Sequence, residues 1–130
     1  MINLDFECAK AGAALAGALP KKDGEDVVRK CLAVLQENGV YACFIYAFSL
    51  KEGKGGKKVI GQMAGLLKDQ NLIADAGIIA DNVNIKLKDV FGDLDKLFLA
   101  KLLMENTLIY ALYHIRATPG ANSTKGEEVK

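Results

Sequence analysis

Residues 93–117, DLDKLFLAKLLMENTLIYALYHIRA, decide the fold. Leu94, Leu97, Phe98, Leu99, Leu102, Leu103, Met104, Leu108, Ile109, Tyr110, Leu112, Tyr113 and Ile115 make the stretch one long helix, apolar almost all the way round. Lys101, Glu105 and Asn106 leave only a narrow polar strip. A helix apolar on every side must be enclosed, either by its own domain or by other subunits. In a chain of 130 residues the other helices are too short to cover it completely. The expectation is a small helical subunit that lives against partners, and the stretch holds no recognisable catalytic arrangement.

At this length the chain builds one core and not two. Its 51% hydrophobic content, with no Trp and only two Pro, favours helices. A formal net charge of +1 excludes bulk electrostatic attraction to nucleic acid or to an anionic membrane, so any such contact has to be local. The three cysteines, Cys8, Cys31 and Cys43, form no CxxC pair, and the lone His114 cannot complete a four-ligand zinc site. They read as buried reduced thiols, which suits a reducing cytoplasm. The opening MINLDFECAK is acidic where a signal peptide is basic. The apolar runs 11–19 and 40–48 fall short of the roughly 20 residues a bilayer span needs. These features predict a soluble, cytoplasmic protein with no membrane partner, no metal and no cofactor.

Working back towards the start, four more helices precede the last. Leu4, Cys8, Leu15 and Leu19 lie on one stripe of a first helix, and Pro20 ends it. The small residues Ala11, Gly12, Ala13, Ala14 and Gly17 let another backbone approach that helix closely. Asp23 is the expected N-cap of a second helix with Val28, Cys31, Leu32 and Leu35 at helical spacing. Glu25–Arg29 and Asp26–Lys30 are i,i+4 pairs on it, and Asn38-Gly39 supplies its stop. Tyr41, Phe44, Ile45 and Phe48 mark a third helix, and Val59, Met63, Leu66 and Leu67 a fourth. Between them, Lys51 to Lys58 reads as a flexible basic loop. Leu72, Ile73, Ile78 and Ile79 suggest a short helix, residues 82–84 a capped turn, and residues 86–90 one further helical turn; Val83, Ile85 and Leu87 also alternate as in a short strand. The fold class is all-α: a single bundle of about five to six helices over residues 1–118, the long C-terminal helix central, followed by a flexible polar tail at 119–130.

Catalytic chemistry is hard to find. Gly56-Lys57 is followed by Lys58 and preceded by a helix, so the phosphate-binding P-loop pattern fails. Lys54, Lys57 and Lys58 remain a local cationic group, either a solvated linker or a contact to phosphate backbones. As a general base His114 would need an orienting carboxylate and a nucleophile, and neither is at hand, so it reads as a structural or interface histidine. Asp75, Asp81, Asp89, Asp93 and Asp95 sit at turns and helix starts, where acids complement the helix dipole. Asp81-Asn82-Val83-Asn84 lacks the ligands of a calcium loop. Tyr41, Tyr46, Tyr110 and Tyr113 read as core-edge aromatics.

Two stretches carry a family resemblance. Residues 34–48, VLQENGVYACFIYAF, join a helix through an Asn-Gly hinge to an aromatic-rich helix, and residues 109–117, IYALYHIRA, end the last one. In this order, after a small-residue first helix containing Ala9-Lys10-Ala11, they resemble the small all-helical subunit of type III-B CRISPR effector (Cmr) complexes. The resemblance implies a non-catalytic protein, without a cofactor, whose copies stack into a short filament beside the larger subunits that hold the guide RNA. Its implied partners are those subunits, like copies of itself, and the guide/target RNA duplex through backbone contacts, in antiviral defence. The family's C-terminal signature ends in an aromatic followed by a basic pair. Here Tyr113 takes the aromatic place, while Ile115 splits His114 from Arg116. Lys54, Lys57 and Lys58 are the foremost candidates for RNA contact, joined by Lys10, Arg29, Lys30 and Arg116. The competing readings are a free-standing helical adaptor that binds protein and never meets nucleic acid, and a small enzyme built on His114.

Overall fold

The computed structural model describes residues 3–51, 53–73, 77, 79 and 94–118. Among them are five helices and no strand: α1 (Leu4–Ala18), α2 (Gly24–Asn38), α3 (Val40–Ser49), α4 (Gly56–Asp69) and α5 (Leu94–Ala117). The all-α bundle with a long C-terminal helix is therefore present as the sequence predicts. The turns expected at 82–84 and 86–90, the acids Asp75, Asp81, Asp89 and Asp93, and the tail from 119 lie outside the described residues. So does most of the short helix expected near Ile78, although Leu72, Ile73 and Ile79 join the core.

Local chemistry sets most helix ends. The Asn3 side chain accepts the Phe6 N–H at 3.1 Å and opens α1. Pro20 follows its last turn. Gly39, at φ +97°, closes α2 and lets α3 begin at the next residue. Asp23 departs from expectation. It precedes α2, but its side chain makes no capping bond and instead pairs with Lys54 at 3.4 Å.

The bundle is organised around α5, which packs most extensively on α1 and then on α2. Its inner stripe, Ala100, Leu103, Met104, Thr107, Leu108, Ala111, Leu112 and Ile115, repeats at i, i+3, i+4 and i+7 and is buried throughout. At Gly12 the two backbones nearly touch. A Cβ there would meet the Tyr110 Cβ at 2.7 Å and the Thr107 carbonyl oxygen and Ala111 nitrogen at 2.8 Å. Cys8 lies at Leu103 and Gly12 at Thr107–Ala111, so α1 and α5 run in the same direction where they cross. Tyr110 leans towards the start of its own helix, as helical side chains do, and its hydroxyl donates to the Asp5 carboxylate at 2.7 Å. Beneath the crossing, the Thr107 hydroxyl is fully buried, without a conventional partner, and faces the Cys8 thiol, a weak donor.

Val28, Leu35, Phe44, Ile60, Met63 and Leu67 complete the core from α2, α3 and α4. Each such side chain contributes about 1.5–3 kcal/mol by leaving water. The face of α3 differs from the expected one: Val40, Cys43, Phe44 and Ala47 are buried, while Tyr41 is exposed and Ile45 and Phe48 are only half-buried. Nor is α5 enclosed all round. Leu94, Phe98, Leu102 and Tyr113 are 54–62% exposed, so the apolar surplus inferred from sequence is real and lies on its outer face.

Two consequences are measurable. Gly12→Ala should destabilise the protein by about 2 kcal/mol or more even though Ala is the better helix former, whereas Gly17→Ala, where a Cβ meets nothing within 4 Å, should be neutral or stabilising. Thermal unfolding of the two variants reads the contrast. Thr107→Val keeps the shape and removes the orphan hydroxyl, and should raise stability by about 1 kcal/mol in a denaturant titration.

Candidate nucleic-acid interface

The loop before α4 is clamped, not loose. Gly55 has φ +101°, and a Cβ there would run into Leu19 and Pro20 at the end of α1. Gly56 is buried against the Ala47 carbonyl of α3, with no room for a side chain. The Lys54 N–H donates to the Lys51 carbonyl, and the N–H groups of Lys58 and Val59 share the Gly55 carbonyl. Lys54 Nζ reaches Asp23 in the turn between α1 and α2. Gly55 and Gly56, part of a loop expected from sequence to be flexible, are therefore required by close approach.

This clamp fixes Lys57 and Lys58 on the first turn of α4, both exposed and neither in an ion pair among the described residues. No side chain caps that end of α4 and no acid lies in its first turn. The positive end of a helix dipole and two ammonium groups thus share one place, an arrangement that no ion pair among the described residues compensates and that an anion would relieve. A cavity of about 490 Å³ adjoins it, walled by Ala47, Phe48 and Leu50 with Lys51, Lys57 and Lys58 around it. Further along α4, Gly61 and Gly65 have open space where a side chain would be, and exposed Lys68 follows. Sequence reasoning passed over Lys51 and Lys68. The spacing Lys57–Gly61–Gly65–Lys68 puts all four on one helical face and could have revealed the second.

The other candidate cations are occupied. Lys10 pairs with Glu7 at 3.2 Å and lies 5.2 Å from the centre of the Phe6 ring. Arg29 bonds Asp26 at 2.7 Å and approaches Glu25 at 4.0 Å, and Lys30 reaches Asp26 at 3.1 Å. The Lys30 contact, with help from Arg29, holds the Asp26 carboxyl below its ordinary value, and the same contact raises the Lys30 ammonium. Arg116 donates to Glu25 at 3.2 Å, tying α5 to α2. Exposed pairs of this kind add little to stability, but each cancels the charge that a phosphate would seek. Lys57 and Lys58 stand together; none of Lys10, Arg29, Lys30 and Arg116 is brought to them by a described contact.

The three thiols are withdrawn from solvent. Cys8 donates to the Leu103 carbonyl at 3.5 Å and Cys43 to the Cys31 carbonyl at 3.7 Å. Burial pushes the Cys8 thiol up, and contact with Cys31 together with burial pushes Cys43 far up. His114 is exposed near the end of α5, beside a cavity of about 390 Å³ that Gly17, Lys21 and Gly24 also line. Among the described residues no group of three His, Cys, Asp or Glu side chains could hold a metal ion. No described helix is long and apolar enough to cross a membrane. Comparison with protein families, curated proteins and solved structures gives no match.

Because all three thiols are sealed in the core, an aromatic disulfide reagent at neutral pH should leave the native protein unmodified. Unfolding in guanidinium should release three equivalents at a rate about 100-fold faster or more.

Proposed function

We propose that the chain is a non-catalytic architectural subunit of a type III-B CRISPR RNA-guided, RNA-targeting effector complex. In this reading it stacks with like copies beside the backbone subunits along the groove where target RNA pairs with guide RNA. The resemblance of residues 34–48 and 109–117 to the small subunit of that family supports it, and so does the all-helical architecture. The observation that carries the RNA contact is the pair Lys57 and Lys58, in no ion pair among the described residues, on the uncapped positive end of α4 and held there by Gly55 and Gly56. Lys54 then has a supporting role through Asp23, and Lys10, Arg29, Lys30 and Arg116 serve the fold's own ion pairs. Such a contact binds the phosphate backbone without reading sequence.

The adaptor reading draws on a different observation, the exposed apolar residues of α5, which mark a protein-binding face. The two separate in the assembled particle. Replacing both Lys57 and Lys58 by Ala should weaken RNA binding uniformly across sequences and reduce the slope of log affinity against log salt by about one to two. Replacing Lys10, Arg29 and Lys30 together should leave that slope unchanged. Equal affinity and slope for the Lys57/Lys58 variant would remove RNA from the account and leave the adaptor.

A further inference from the structure

The later turns of α1, the start of α2 and the end of α5 border the cavity of about 390 Å³ beside His114. From α1 it receives only Ala13, Ala16 and Gly17, so that wall carries no side-chain atom beyond Cβ and is flat. A Cβ at Gly17 would meet nothing within 4 Å, so no neighbouring side chain fills the space beside it. Leu19 and Pro20 from the turn after α1, and Ile115 from α5, add further apolar lining. Leu19 and Ile115 also belong to the core, which fixes those walls in place.

The charge on this cavity is of one sign. Lys21 and His114 both line it, and neither enters an ion pair among the described residues. No acid is among its lining residues. Asp23 and Glu25, the nearest acids along the chain, are drawn off by Lys54 and Arg116. Thr118 commits its hydroxyl proton to the His114 carbonyl at 2.7 Å, which leaves the Lys21 ammonium and the imidazole as the side-chain donors.

A largely apolar hollow of this size with a few convergent donors is the form that small-molecule sites take. Its flat wall suits the plane of a ring, and its donors suit a carboxylate. Inorganic phosphate would gain nothing from the apolar lining, and a neutral ring would leave both donors unused. We propose that the cavity binds a small aromatic carboxylate, its ring against Ala13, Ala16 and Gly17 and its oxygens accepting from Lys21 and His114. The inference goes beyond the proposed function and uses neither Lys57 nor Lys58, so either can fail without the other.

Amide chemical shifts of the full, isotope-labelled chain, titrated with benzoate, test it. Saturable shifts should centre on Gly17, Lys21, Gly24 and the end of α5. Benzyl alcohol keeps the ring without the charge and should bind about threefold or more weaker. Acetate keeps the charge without the ring and should bind about tenfold or more weaker. Lys21→Ala and His114→Ala should each weaken benzoate by about threefold with helicity unchanged, since both side chains are exposed. Gly17→Leu sets a side chain in the open space at the flat wall and should abolish binding, whereas Gly17→Ala should retain it. Shifts that never saturate, or that centre on Lys57 and Lys58, would overturn the proposal. So would equal affinities for benzoate and benzyl alcohol, Lys21 and His114 variants that bind like the parent, or a Gly17→Leu variant that does.

Discussion

At Gly12 the backbones of α1 and α5 meet with no side chain between them. Helices normally keep 8–10 Å between axes because side chains hold them apart, and removing a Cβ lets carbonyl and amide groups approach directly. The contact fixes which face of α5 points inward. Cys8 is thereby set on the Leu103 carbonyl, Tyr110 on Asp5, and Ile115 near Gly24 at the start of α2. An α5 that is apolar on nearly every side could bury any of its faces by hydrophobicity alone. The close crossing selects one, and Leu94, Phe98, Leu102 and Tyr113 are what the selection leaves in water.

A second close approach, at the other end of α1, governs the polar side of the molecule. Gly55 and Gly56 press the loop onto Leu19, Pro20 and Ala47, so the start of α4 is held by the core. Lys57 and Lys58 are carried on that rigid turn, beside an uncapped helix end. Five other cations, Lys10, Arg29, Lys30, Lys54 and Arg116, are paired with Glu7, Asp23, Glu25 and Asp26.

What the sequence discloses follows the range of the interaction involved. The end of α1 at Pro20, the Gly39 junction, the buried stripe of α4 and the pairs Glu25–Arg29 and Asp26–Lys30 are local, and all are legible from spacing. The face of α3 is not, because VYACFIYAF is apolar in every phase and only its packing on α2 and α4 chooses Val40, Cys43, Phe44 and Ala47. Asp23 reads as a cap until Lys54, far along the chain, takes its carboxylate. Arg116 reads as an available cation until Glu25, 91 residues away, meets it. The candidate site was therefore half legible: Lys57 and Lys58, and the local partners of Lys10, Arg29 and Lys30, lie within reach of sequence spacing, whereas the partners of Lys54 and Arg116 are a product of the fold.

The central claim is that this chain is a building block whose leftover apolar face and unpaired lysines are satisfied by other molecules. Native mass measurement of the protein expressed together with its genomic neighbours, at low salt, tests that most directly. The account predicts a particle containing several copies or several kinds of subunit, with RNA bound. A single chain, free of RNA and of any partner under those conditions, would contradict it.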